Sequence, residues 1–372
     1  MDNWTEYYCR WRLYGYLRQD YMANWIIKNV RLAGVSACVP KNTLHTEDMT
    51  IFHDDECEKF LKTVGIKSRR IAPQGVCASD LCYEAAKKLI EELGWDKKDI
   101  EALVFVSITA DYRSPMTSCI LQNRLGLSES CFTLDIPLGC CGYLHGITVV
   151  SNLMSSGTIK KALLLCGDTC YQMSSPEDKS RLPIFGDAGT ASAFSYEESA
   201  EDIISYSYTD GAGYKTIITP HSGFRHPITP ASFIIQDVGE GIRRAPVHSM
   251  LDGMEVFSFA ISKAPRALKK MMEECGIKET DVNYFLLHQA NRFINQMICK
   301  KLKINTQKVP SNIEEYGNTS CAAIPLLMVT RLQKELSSQS LSLILSAFGV
   351  GLTWGCLHIK TDKMICPPLI EL

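Results

Sequence analysis

The chain has 372 residues, 46% hydrophobic and 22% charged, the balance of a folded globular protein with a large core. Its 39 basic and 41 acidic residues leave a formal charge of −2, so no global attraction to nucleic acid or to an anionic membrane is implied and no nucleic-acid partner is expected. The 16 cysteines are scattered through apolar stretches without a Cys-x-x-Cys pair, which argues against zinc and disulfide frameworks and for buried reduced thiols in a cytoplasmic protein.

Residues 1–27 are rich in aromatic and charged side chains, Trp4, Tyr7, Tyr8, Arg10 and Trp11 among them, and lack the apolar stretch of a signal peptide. They read as an N-terminal extension, with a structural arm as the alternative. No apolar run approaches the ~20 residues that span a bilayer, so no membrane span is expected. From about residue 28 the pattern alternates between short β-branched runs and amphipathic stretches of helical length, the mark of α/β architecture. Between 84 and 93 the apolar positions Ala85, Ala86, Leu89, Ile90 and Leu93 predict a helix, and residues 101–107 predict a buried strand. Helix and strand follow at 116–125 and 131–136, and again at 142–156 and 161–166. After residue 200 the order returns: helix from about 256 to 275, strand at 282–287, helix at 289–302, helix near 322–336, strand at 341–346. The recurrence predicts two duplicated halves, 28–200 and 201–372, around a shared core.

Three separated segments carry reactive side chains. The strand ending near Ile136 is followed by Pro137, Gly139, Cys140, Cys141 and Gly142, which places Cys140 at a strand-to-helix turn. A helix N-terminus there would lower the thiol pKa and offer free N–H groups to an oxyanion. For a cysteine chosen at random, a buried core thiol is the better reading. His288 follows the apolar run Tyr284–Leu287 and so sits at the carboxyl end of a strand, where ligands of α/β sheets collect; a helix-capping histidine is the alternative. Asn318, in Gly317-Asn-Thr-Ser320, reads by itself equally well as a turn or an N-cap.

Taken together, Asp135-Ile-Pro-Leu-Gly-Cys-Cys-Gly-Tyr143, His288-Gln-Ala-Asn291 and Gly317-Asn-Thr-Ser320 resemble the Cys-His-Asn triad segments of β-ketoacyl-acyl-carrier-protein synthase III. Phe185-Gly-Asp-Ala-Gly189, Gly253-Met-Glu-Val-Phe257 and Phe348-Gly-Val-Gly-Leu-Thr-Trp-Gly355 extend the resemblance over residues 30 to 360. It implies a thiolase-like fold, two duplicated α/β halves in a five-layered αβαβα arrangement, working as a homodimer. It further implies that Cys140 takes an acyl group from a thioester and that a malonyl thioester, by analogy malonyl on acyl carrier protein, loses CO2 and attacks it in a decarboxylative Claisen condensation. His288 and Asn318 would donate to the enolate oxygen, and the N–H groups of Cys140 and Val350 would bind the acyl-cysteine oxygen. No tightly bound cofactor is implied. The substrates would be acyl-coenzyme A or acyl-acyl carrier protein, and the partner an acidic acyl carrier protein.

Departures from the family pattern concern the substrate. Val350 stands where glycine is common, and Cys141 replaces a small residue and is expected to pack. Lys59 and Thr63 occupy the positions of the family's adenine clamp. Lys179, with Arg181 beside it, would keep the coenzyme A or phosphopantetheine phosphate contacts, and Arg292 a carrier contact. Lys263, Arg266 and Lys270 recur at helical spacing, as a docking patch or an ordinary solvated face. Ser114 replaces a phenylalanine before Pro115, so that a pocket built with Phe185 would be wider or more polar. Two other functions keep the same fold: acyl transfer from Cys140 to a hydroxyl or amine in secondary-metabolite or surface-glycan biosynthesis, and a non-catalytic partner subunit, which the intact triad argues against. Gly349-Val-Gly351 lacks the spacing of a dinucleotide site.

Overall fold

In the strand Ala102–Val106 every residue is buried, and the side chains alternate: Val104 and Val106 enter one apolar cluster, Leu103 and Phe105 another. That is the pattern of a central strand covered by helices on both faces. The computed structural model describes residues 23–372. Two large sheets dominate it. The first has six strands in the order Ile370–Glu371, Val30–Val39, Ala188–Tyr196, Lys161–Asp168, Ala102–Val106, Phe132–Ile136. The second has five, in the order Ala23–Ile27, Ile203–Thr209, Thr353–Thr361, Leu341–Gly349, Tyr284–Leu287.

Starting from Val30–Val39, successive pairings in the first sheet run antiparallel, antiparallel, parallel. Starting from Ile203–Thr209, the second sheet repeats that sequence. The expected duplication is therefore present in the hydrogen-bond ladders. The helices that cover the sheets are α1 (Ala78–Leu93), α2 (Thr117–Leu125), α3 (Gly142–Met154), α4 (Gly253–Glu274), α5 (Arg292–Leu302) and α6 (Ala323–Ser338). Leu81, Leu89 and Leu121 of α1 and α2 share a cluster with Leu103, Phe105 and Leu163 on the outer face of the first sheet. Leu268, Met271, Ile294 and Ile298 of α4 and α5 do the same with Phe285 and Ile344 of the second. The inner faces of both sheets close on α3 and α6 through Ile147, Val150, Leu327 and Leu332. The result is the five-layered αβαβα arrangement of the thiolase-like fold.

Local chemistry sets the helix limits. The Asp135 carboxylate accepts from the amides of Thr117 (2.7 Å) and Ser118 (2.8 Å) and so fixes the start of α2. Asp252 accepts from the amides of Met254 and Glu255 at 3.1 and 3.0 Å and opens α4, three residues earlier than the apolar pattern predicts. Gly94 and Gly126 end α1 and α2 in the left-handed conformation.

The chain ends cross between halves. Ala23–Ile27 pairs antiparallel with Ile203–Thr209, and Ile370–Glu371 pairs with Cys38 and Val39 of the first sheet. The reading of residues 1–27 as an extension is thus corrected for 23–27, which form an edge strand of the second sheet; residues 1–22 lie outside the described residues. Among the described residues no helix is long and apolar enough to cross a membrane.

The contact between α1 and the first sheet leaves no room at Gly189, where a Cβ would lie 2.4 Å from the Cys82 amide nitrogen and 2.6 Å from the Leu81 carbonyl carbon. Backbone cannot yield as a side chain can. Gly189→Ala is expected to destabilise the fold by about 1–3 kcal/mol, read as a lower urea midpoint; an unchanged midpoint would contradict this packing.

Candidate active site

Cys140 lies in the turn between Phe132–Ile136 and α3, and two glycines make its position possible. A Cβ at Gly142 would lie 2.5 Å from Val106 Cγ1 and 3.2 Å from Cys321 Cβ, so only glycine lets α3 begin this close to the first sheet and to the segment before α6. A Cβ at Gly349 would lie 2.5 Å from the Cys140 Cβ and 3.0 Å from its Sγ. The thiol occupies the space that a side chain at 349 would take. Cys141 is buried and points away, its Sγ 3.7 Å from the Ala347 carbonyl, and acts as packing.

His288 is positioned by the second sheet. Its amide donates to the Ser346 carbonyl (2.8 Å), and its carbonyl accepts from Asn295 Nδ2 (3.2 Å). Gln289 locks the turn by donating to the Leu287 carbonyl (2.7 Å) and accepting from Ser311 Oγ (2.9 Å), while Asn291 caps α5 through the Ile294 amide (2.7 Å). The His288-Gln-Ala-Asn291 segment is therefore a device for holding one imidazole. That ring is 1% exposed, has Phe348 edge-on at 5.7 Å, and neither of its nitrogens has a protein partner among the described residues.

Asn318 follows Gly317, whose φ of +63° and whose approach to the Ile184 carbonyl, 2.8 Å from an added Cβ, exclude other residues. The Asn318 amide donates to Ile184 (3.0 Å) and its carbonyl accepts from Gly186 (3.1 Å), so the Phe185-Gly186 segment and the Asn318 turn hold each other. Its Oδ1 accepts from the Ser320 amide (2.9 Å), which leaves the NH2 donors without a protein acceptor among the described residues. Ser320 itself has φ 55°, and its buried hydroxyl stands close enough to Cys140 and Asp168 to favour their charged forms.

These three side chains meet on one cavity of about 250 Å³, walled also by Phe185, Arg181, Cys170, Gly349 and Val350. No loop hydrogen bond among the described residues uses the N–H of Cys140 or of Val350.

The arrangement agrees with what the chain is similar to. Residues 134–211 match the family described as 3-Oxoacyl-[acyl-carrier-protein (ACP)] synthase III, and residues 272–361 match its C-terminal part. The Beta-ketoacyl-[acyl-carrier-protein] synthase III of Caldanaerobacter subterraneus is 30% identical over 89% of this chain and 98% of its own length. That of Koribacter versatilis is 30% identical over 90% and 98%. The chain belongs to the 3-oxoacyl-[acyl-carrier-protein] synthase III family. A solved 3-oxoacyl-(acyl-carrier protein) synthase from Burkholderia xenovorans LB400 superposes with a TM-score of 0.89 at 35% identity, covering 94% of this chain and 99% of that one. As a member of this family the protein is an acyltransferase of the condensing type.

Other residues singled out in the sequence fall elsewhere. Ser114 and Pro115 are exposed and do not line the cavity, because α2 beside them packs on the edge strand Phe132–Ile136. Lys179 is paired with Glu56 (2.6 Å), and Arg292 with Glu314 (3.0 Å) and the carbonyls of Leu61 and Lys62. Both tie loops together rather than stand open to a phosphate. Arg181 is 2% exposed, too deep to meet a carrier protein at the surface. Lys59 is held by Asp55 (2.7 Å), Lys263 lies over Trp354 at 5.1 Å, and Lys270 pairs with Glu274 (2.7 Å).

Asp168 is the main residue that sequence reasoning passed over. Fully buried, its Oδ1 accepts from Ser107 Oγ (2.8 Å), Thr109 Oγ1 (3.1 Å) and the amides of Ile108 (2.8 Å) and Thr109 (3.2 Å). Its Oδ2 accepts from Cys321 Sγ (3.3 Å). It thus ties the first sheet to the segment entering α6. Its negative field also reaches Cys140. Burial first, and Asp168 second, push the Cys140 thiol up to about 11 against smaller lowering by Ser320, its own amide and Arg181. Desolvation thus works against the lowering expected at the helix N-terminus. Burial likewise lowers the His288 pKa to about 3, so the imidazole is neutral at neutral pH.

A thiol raised this far carries little thiolate at neutrality. Alkylation of Cys140 by iodoacetamide, followed by peptide mass spectrometry, is expected to accelerate about tenfold per pH unit from roughly pH 7 to 9. A rate that levels off below about pH 8 would place the pKa in the activated range and contradict the burial argument.

Proposed function

We propose that Cys140 is acylated by an acyl thioester and that the acyl group is then condensed with a malonyl thioester, most simply malonyl on acyl carrier protein. The observation that carries this is the convergence of one thiol and two neutral, unpaired donor groups on a single cavity. In the first step Cys140 Sγ bonds to the thioester carbonyl carbon, the donor's C–S bond breaks, and the thiol proton leaves with the departing thiolate, directly or across a neutral His288. The free N–H groups of Cys140 and Val350 stabilise the oxyanion; an N–H is all that is required of residue 350, so valine can serve.

In the second step the malonyl C–C bond breaks, CO2 departs, and its electron pair becomes an enolate. His288 and the Asn318 NH2 donate to the enolate oxygen, each worth roughly 3 kcal/mol in comparable sites. Neutrality matters here: a carboxylate base would repel the malonyl carboxylate, and none is needed because decarboxylation supplies the nucleophile. The carbanion attacks the acyl carbonyl, and the C–S electrons return to Cys140.

We also propose that the enzyme acts as a homodimer joined at the edge strand Phe132–Ile136. Phe132 and the neighbouring Tyr112 and Met116 are exposed apolar side chains there, and an unpaired edge invites a second copy.

Labelled acyl and malonyl donors test the scheme. Cys140→Ala is expected to lose both the protein-bound label and the condensation product. His288→Ala and Asn318→Ala should keep acyl loading while condensation falls by about 10²–10³-fold. Condensation that survives in Cys140→Ala would sink the covalent route.

A further inference from the structure

Arg181 is a buried cation on the cavity that holds Cys140, with no ion-pair partner among the described residues. It is 2% exposed, its guanidinium lies 4.2 Å from the Phe185 ring centroid, and Nη1 donates to Ser174 Oγ at 2.9 Å. Its Nε is buried without a partner, and no carboxylate among the described residues forms an ion pair with it. Asp178, whose field reaches it, is committed to Arg244 (3.0 Å) and to the Ser180 amide (2.9 Å). Arg69 is equally buried, but it donates to Thr46, Pro183 and Met49 and lines no part of this cavity. Arg181 lines it together with Cys140 and acts on that thiol electrostatically.

A desolvated guanidinium is costly unless an anion meets it, and here the open side is the cavity. A neutral alkyl chain would strip away the last water and offer nothing in return. A hydroxyl would accept a hydrogen bond but leave the charge uncompensated. A carboxylate does both, and pairs with the planar donor fork. The anion belongs to the starter and not to the malonyl unit, since a cation gripping the malonyl carboxylate would stabilise the ground state that decarboxylation must leave.

We propose that the acyl group delivered to Cys140 is a short dicarboxylic acyl group whose free carboxylate pairs with Arg181. This rests on the reading that Cys140 is acylated. The loading step balances as before: the new Cys140 C–S bond replaces that of the donor, whose thiol carries away the proton, and the distal carboxylate takes no part in bond making. The rest of the lining is largely apolar, Ile184, Ile217, Leu251 and Phe348 among it, and suits the methylene carbons between the thioester and that carboxylate.

The test is a competition read by intact-protein mass spectrometry. Wild-type enzyme is offered equimolar succinyl- and butanoyl-coenzyme A, and in a second reaction glutaryl- and pentanoyl-coenzyme A. The dicarboxylic adduct on Cys140 is expected to exceed its neutral partner by about tenfold or more in at least one pair. In Arg181→Gln that ratio should collapse to about one or invert, and Arg181→Lys should restore part of it. Wild-type preference for the neutral chain in both pairs, or an unchanged ratio in Arg181→Gln, would overturn the proposal. The wild-type ratio decides the matter even if the variants fail to fold. Absence of any adduct from all four donors would instead defeat the acyl-cysteine reading, and this inference with it.

Discussion

The site depends on how closely two helix entries approach each other between the sheets. α3 and α6 form the middle layer, and each is entered through a loop that carries a site residue, Cys140 before α3 and Asn318 before α6. The helices can start side by side only because Gly142 lets Val106 and Cys321 close to within contact of its backbone. Cys321 in turn is held by Asp168 and by the Val106 carbonyl, both at 3.3 Å. The buried apolar interior of that layer sets the distance, and the polar groups at its end follow from it. His288 then enters from the second sheet, whose parallel pairing of Leu287 with Ser346 fixes its strand end.

Electrostatics in such a place differ from those of an exposed helix terminus. Burial disfavours every charged form, raising the Cys140 and Asp168 pKa values and lowering that of His288. For Asp168 the four donors on Oδ1 and the Cys321 thiol work against that penalty. For His288 nothing among the described residues does, because neither ring nitrogen has a protein partner. Thiol and imidazole are therefore a neutral pair at neutral pH, unlike the thiolate and imidazolium of an exposed catalytic pair. A neutral ring can donate to one oxygen and accept one proton, and both steps of the condensation ask for that.

Cys140 and Asn318 were legible through the glycines beside them and His288 through its place after an apolar strand, once the three segments were read together. The alternation of apolar runs made the duplicated order of elements legible too. The direction of the thiol pKa was not, because the burial that raises it and the Asp168 charge beside it come only with the fold. The strand Ala23–Ile27 was missed because its partner lies in Ile203–Thr209, and a short run at a chain end carries no signal of a distant edge. Lys179 read as a phosphate contact and Arg292 as a carrier contact while Glu56 and Glu314 could not be placed beside them.

A raised thiol pKa has a consequence for the order of events. Intrinsic nucleophilicity of a sulfur rises with its basicity, while its ability to leave falls. On the reading proposed above, Cys140 would accept an acyl group as its proton is lost to the departing thiolate, and release that group slowly. The acyl-enzyme, once formed, would then await a stronger nucleophile than water. A carbanion formed by decarboxylation within the cavity is such a nucleophile, and the basic sulfur departs only when carbon has attacked. On that same reading, the desolvation that raises the thiol pKa slows both alkylation at neutral pH and departure of the sulfur, joining the packing of the central layer to the choice of carbon over water as the acceptor.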